Sequence, residues 1–223
     1  MNNQREDASV PFGGVAFDLL TALMDSWSLW MTVAKDDELG RRWRRESLHK
    51  VTTAGVYRSY ENIVREASRA VGLNETCADE LLARWASGEL KPWPEASNVL
   101  EQVASHGLRT AVITNCSQRL AEAAAEATGH RFDAIVSAER AGVYKTDPRA
   151  YRAGLTALGD FAPAEVLFVA GSAHDVPGAS AVGMSVYWSN RFHDKVPDGS
   201  PLPFVSAKDL SRLPTVLAAG RIR

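Results

Sequence analysis

The stretch Gly14-Val15-Ala16-Phe17-Asp18-Leu19-Leu20-Thr21-Ala22-Leu23 decides the fold. Apolar residues run into a single carboxylate, and small and apolar residues carry the chain away from it. A short apolar run bounded by a break predicts a strand buried on both faces of a parallel sheet. A carboxylate at the carboxyl end of such a strand lies where open α/β sheets place their ligands. Taken alone, Asp18 is most simply the cap of a following turn. That plain role yields because three later segments, each behind its own apolar strand, bring partners of the right chemistry. Asp18 is therefore read as a nucleophile.

Outward from this stretch, Leu23 to Trp30 begins a helix, and nothing from about 26 to 90 reads as a strand. Residues 35–50 are dense in charge around Trp43, which predicts a solvated helix face with the indole as its anchor. Val56, Tyr60, Ile63, Val64 and Ala67 recur at helical spacing, as do Leu81, Leu82 and Trp85. Lys91-Pro92-Trp93-Pro94 punctuates the end of this helical insertion. From there helices and strands alternate. Strands are expected at 109–113, 134–136, 165–170 and 184–188. Helices are expected at 94–105, from Ser117 to Thr128, from Asp147-Pro148 to Leu158, at 176–182 and at 207–219, with a polar loop over 189–202. Such alternation implies a doubly wound parallel sheet with right-handed crossovers. The expected architecture is α/β: a Rossmann-like core of residues 10–25 and 91–223, with a helical cap of residues 26–90 inserted after the first strand.

The bulk composition narrows the function. Lys and Arg total 25 against 27 Asp and Glu, a net charge of −2, which gives no electrostatic case for nucleic acid or an anionic membrane. No apolar run is long enough to cross a bilayer. Cys77 and Cys116 match no metal-ligand spacing, and such sparse cysteine usage fits a reducing cytoplasm. The polar segment Met1–Ser9 carries both charge signs, so it is expected to be a frayed end rather than a signal peptide. Five of the six tryptophans (27, 30, 43, 85 and 93) fall in or beside the insertion. They are expected to form its core and its contact with the sheet or a second subunit, as in a homodimer.

Four places converge on one sheet edge: Asp18; Thr114 with Asn115; Lys145 in Val143-Tyr144-Lys145-Thr146-Asp147-Pro148; and Ser172 with Asp175. In that order and spacing the chain resembles the haloacid dehalogenase superfamily of hydrolases, from about Val15 to the C-terminus. In its phosphatase branch an acid two residues after the nucleophile protonates the leaving group, and another opens the last motif and helps hold Mg²⁺. Here those positions are Leu20 and Gly171. Asp18 and Asp175 alone make a poor cage for a hard cation, so no metal or other cofactor is expected.

The 2-haloacid dehalogenase branch needs neither acid, and the chain is similar to it beyond the shared core. Trp43-Arg44 resembles that branch's cap pair, Asn115 its halide-side Asn, and Tyr144-Lys145-x-Asp147-x-Arg149-x-Tyr151 its lysine segment. Phe168-Val169 with His174-Asp175-x-x-Gly178-Ala179, and Trp188-x-Asn190-Arg191, follow it as well. The resemblance implies an (S)-2-haloacid dehalogenase that hydrolyses short 2-haloalkanoic acids through an aspartyl ester. It implies Asp18, Lys145 and Asp175 as catalytic residues, with Arg44 and Asn115 at the halide. Thr114 and Ser172 would lie at the substrate carboxylate, and Tyr151 and Leu20 elsewhere around the substrate. The second reading is a phosphatase of the same superfamily acting on a small phosphorylated metabolite with Mg²⁺. Two plainer readings stand beside these. Thr114 and Asn115 both suit helix N-caps, and Arg44 is crowded by Arg41, Arg42 and Arg45 on a solvated helix. The branch's Gly-Thr after the nucleophile is Thr21-Ala22 here, so its threonine contact is missing or displaced by one residue. Ala170 and Ser172 replace its Ser and Asn, which bears on water positioning.

Overall fold

The computed structural model describes residues 11–220; the frayed end expected over Met1–Ser9 lies outside them. The central strand is β1 (Gly14–Phe17), every residue of which is buried. It lies between β2 (Arg109–Thr114) and β4 (Val166–Ala170). β3 (Ala134–Ser137) lies beyond β2, and β5 (Ser185–Ser189) and β6 (Val205–Ala207) lie beyond β4, giving the order β3-β2-β1-β4-β5-β6. Every pairing is parallel. Because β1 has β2 on one side and β4 on the other, the connections diverge at its carboxyl end. That divergence opens the crevice in which doubly wound sheets bind ligands.

Helices cover both faces. The chain runs α1 (Ser26–Ala34), α2 (Asp37–Thr53), α3 (Tyr60–Ala70) and α4 (Glu75–Ala86) before returning through α5 (Ala96–Ser105) to β2. The later helices are α6 (Gln118–Ala127), α7 (Ala138–Ala141), α8 (Pro148–Leu158), α9 (Asp175–Ala181) and α10 (Leu213–Ala219). Side chains alternate across each strand. Ala16, Ile113 and Phe168 meet Tyr151 and Leu155 of α8 and Val176 of α9 on one face. Val15, Phe17, Val112 and Val169 meet Leu100, Leu120 and Leu213 on the other, and Trp43, Ile63 and Leu81 of α2–α4 belong to that same core.

Two expectations are corrected. The last helix does not span 207–219: Val205–Ala207 form β6, and the helix starts only at Leu213, with Pro214 in its first turn. A three-residue edge strand of mixed polarity leaves almost no periodic trace. Val56 does not join the stripe of α3. It precedes that helix, is 64% exposed, and forms an isolated antiparallel bridge with Val143. Three of the five tryptophans in or beside the insertion are core: Trp30, Trp43 and Trp85 are fully buried, and Trp85 Nε1 donates to the Leu120 carbonyl (3.0 Å), tying α4 to α6. Those three indoles are spent inside the protomer rather than offered to a second subunit.

Candidate active site

Asp18 closes the β1 ladder, its N–H donating to the Val169 carbonyl (2.9 Å). A single π-helical turn, Leu19–Leu23, follows, closed by the Met24 N–H on the Leu19 carbonyl (2.9 Å). Wide turns of this kind are frequent at functional sites. Here the turn aims its free donors at one oxygen. Asp18 Oδ2 accepts from Thr21 N (2.8 Å), Thr21 Oγ1 (2.6 Å) and Ala22 N (3.0 Å). The threonine contact is thus displaced by one residue and present. The end of β4 presses against the same turn. A Cβ on Gly171 would overlap the Thr21 carbonyl carbon and the Ala22 nitrogen, so no side chain fits there without moving the backbone that holds Asp18.

The other Asp18 oxygen, Oδ1, accepts from Lys145 Nζ (2.8 Å), and the same ammonium donates to Asp175 Oδ2 (2.9 Å). All three side chains are buried. Asn115 fixes the lysine backbone from both sides: its Oδ1 accepts Lys145 N (2.7 Å) and its Nδ2 donates to the Lys145 carbonyl (3.0 Å). Asn115 also lines the cavity, and one of its two amide hydrogens is left for a ligand. Tyr151, expected around the substrate, stands behind Asp175 instead. Its Oη donates to Asp175 Oδ1 (2.6 Å) from within the α8–α9 face, and it does not line the cavity. Gly178 makes that reach possible, since a Cβ there would stand 2.5 Å from the Tyr151 Oη.

Electrostatics separate the two carboxylates. Burial alone would push Asp18 up, but the charge and hydrogen bond of Lys145 and the donors of Thr21 hold it below its ordinary value. Asp175 is pushed up by burial, which its bonds to Lys145 and Tyr151 do not offset and which the charge of Asp18 reinforces. Burial would lower Lys145, yet the two carboxylates hold it above the usual lysine value. The arrangement is one ionised carboxylate, one fixed ammonium, and a second carboxylate more ready to take a proton. Pairs of acids driven apart in this way mark divided acid and base roles.

A cavity of about 700 Å³ opens above these groups; Leu20, Ser172 and His174 also line it. Ser172 Oγ accepts the His174 N–H (3.3 Å). Thr114, expected at the substrate carboxylate, is not in the lining. It shares the face of Val112 two residues earlier, and its buried hydroxyl lies 3.8 Å from Cys116 Sγ. Arg44, by contrast, is 1% exposed and lines the cavity from α2. Its guanidinium stacks on Trp27 (4.7 Å) and Trp30 (5.8 Å). It has no ion pair among the described residues, and Nε and Nη2 are buried without a hydrogen-bond partner. A buried cation without a counter-ion is costly, so the site is poised for an anion. Trp27 and Tyr60, expected only as core, and Leu48 and Phe192, which the sequence does not mark, also line it. For α2 the spacing of Arg41, Arg44, Leu48 and Thr52 held the signal.

For a divalent cation the donor set fits poorly. Asp18 and Asp175 converge on an ammonium, Gly171 has no room for a carboxylate, and among the described residues no three His, Cys, Asp or Glu side chains cluster.

The family model described as haloacid dehalogenase-like hydrolase matches residues 16–183. The chain is 30% identical over 195 residues to the (S)-2-haloacid dehalogenase of Pseudomonas sp. (strain YL), covering 80% of this chain and 82% of that one. It is 29% identical over 194 residues to haloacetate dehalogenase H-2 of Moraxella sp. (strain B), covering 80% and 85%. A solved structure described as a dehalogenase with intermediate complex superposes with a TM-score of 0.81 at 26% identity, covering 92% of this chain and 97% of that one.

Proposed function

The chain belongs to the haloacid dehalogenase-like hydrolase family, and from that premise we propose that it hydrolyses 2-haloalkanoic acids to 2-hydroxy acids through an ester on Asp18. The observation that carries the reading is the buried Asp18–Lys145–Asp175 chain, with an ammonium bonded to the nucleophile at 2.8 Å.

Oδ1 of Asp18 has one donor and keeps a lone pair free, whereas Oδ2 is held by three. Oδ1 attacks the α-carbon opposite the carbon–halogen bond, the new C–O bond forms, and halide leaves with the bonding electrons. Arg44 receives the halide, with the spare amide hydrogen of Asn115 beside it. Needing no proton, this leaving group makes an acid at Leu20 unnecessary. Oδ2 is then the ester carbonyl oxygen. Water attacks Cγ of Asp18, negative charge develops on Oδ2, and the Thr21 and Ala22 N–H groups already pointing there act as an oxyanion hole. Asp175, its pKa raised, takes the proton of the attacking water. As the intermediate collapses, Lys145 gives a proton to the departing Oδ1 and regains one from Asp175. The product leaves as an alcohol, with the configuration at carbon inverted by the first step. Ser172 binds the substrate carboxylate, and Tyr151 positions Asp175. Helices α1–α4 serve as a cap over the reacting carbon.

The free thiols Cys77 and Cys116 support a reducing, cytoplasmic setting; among the described residues no helix is long and apolar enough to cross a membrane. The test is halide release from 2-chloropropionate in the presence of EDTA, with Asp18→Asn reducing it by at least ~10³-fold, as expected when a nucleophile is lost. Phosphate release from small phosphoesters that requires Mg²⁺, without any halide activity, would replace this reading with the phosphatase one.

A further inference from the structure

We propose that the preferred substrate is a 2-haloacid whose α-carbon bears an extended apolar group, gripped at the cavity mouth by Leu48 and Phe192. The inference rests on the dehalogenase reading above and names its substrate class.

Size is the first argument. 2-Chloropropionate has about six non-hydrogen atoms, the bulk of roughly five waters at ~30 Å³ each, whereas the cavity measures about 700 Å³. Volumes of that order accompany ligands several times larger. The lining is the second argument. Beyond the charged floor the wall includes Leu20, Trp27, Val51 and Tyr60, beside Ser47, His49 and Thr52. At the rim Leu48 is 36% and Phe192 43% exposed. Scattered exposed apolar residues are ordinary, but both of these open onto the cavity that holds the nucleophile.

Their placement ties them to the reacting centre. Leu48 stands one turn after Arg44 on the same face of α2. Phe192 lies edge-on to Trp27 (5.9 Å), the ring on which the Arg44 guanidinium stacks. An acid whose halogen lies at Arg44 therefore has an apolar surface on either side of its outward path. The rival occupant is a second anionic group at Arg41 and Arg45, which also line the cavity. Asp194 opposes them from the same lining, and Arg45 is itself exposed.

Calorimetry of the wild-type enzyme with propionate, octanoate and octanedioate tests binding, and halide release from 2-bromopropionate and 2-bromooctanoate tests turnover. Each buried methylene is worth about fourfold, so octanoate should bind at least ~30-fold more tightly than propionate. kcat/KM should favour 2-bromooctanoate in the same sense. Phe192→Ala and Leu48→Ala should each cost 2-bromooctanoate at least ~5-fold more than they cost 2-bromopropionate. Equal affinity for propionate and octanoate, tighter binding of octanedioate, or equal losses on both haloacids would overturn the inference and leave the reaction standing. A kept octanoate preference without halide release from either acid would instead overturn the reaction and leave the apolar-acid site.

Discussion

Asp18 and Asp175 are the same functional group at the two ends of one ammonium, yet the chain gives them opposite tasks. Against burial, the charge and hydrogen bond of Lys145 and the donors of Thr21 hold Asp18 ionised, while burial and the neighbouring charge push Asp175 up. As pH falls, Asp175 therefore takes the first proton, and the acid limb of kcat/KM reports on it rather than on Asp18. Tyr151→Phe removes a hydrogen bond that favours the ionised form of Asp175. That limb should then move to higher pH, while a conserved kcat on its plateau would mark Tyr151 as a positioning residue. A limb that stays in place in the variant would remove Tyr151 from this role. That Asp18, Lys145 and Asp175 meet was legible because each residue follows its own apolar run. Sequence places the Asn115 amide near the site but does not show that its Oδ1 and one amide hydrogen are taken by the Lys145 backbone.

Among the elements, the turn after β1 matters most, because the end of β4 is moulded to it. Gly171 touches the Thr21 and Ala22 backbone so closely that any larger residue must displace the donors of Asp18. Overpacking of this kind costs about 1–3 kcal/mol. Gly171→Asp, which restores the acid of the phosphatase branch, should lower the melting temperature and reduce halide release, without creating Mg²⁺-dependent phosphatase activity. A variant as stable as wild type that acquires such activity would show that the turn yields and the donor set was one residue short. Strands β1 to β5 were readable because each carries a short apolar run, four of them after a helix. β6 was not, since Val205-Ser206-Ala207 is too short for its pattern to register. The loop after β5 reads as polar from its Gly and Pro content, which hides Phe192, an aromatic that lines the cavity.

Across the whole molecule, helices α1–α4 and the sheet share a single apolar core, since Trp43, Ile63 and Leu81 belong to the same cluster as Phe17 and Val112. Polar ties reinforce it: Ser117 Oγ donates to Glu61 Oε1 (2.6 Å), Tyr144 Oη to the Arg58 carbonyl (2.8 Å) and Trp85 Nε1 to Leu120. Calorimetry should accordingly give one unfolding transition with equal calorimetric and van't Hoff enthalpies. Two resolved transitions would mean that the helical insertion melts by itself. In the proposed reaction the site beneath this junction holds one carboxylate in line with a carbon–halogen bond while water waits for the second step. The most direct test of that covalent step is a single turnover of 2-chloropropionate by excess enzyme in oxygen-labelled water. The label should appear in the Asp18 carboxylate and the first product should be unlabelled, because its new oxygen comes from the protein. Label found in that first product, with none on Asp18, would mean that water attacks the carbon directly and that no ester forms.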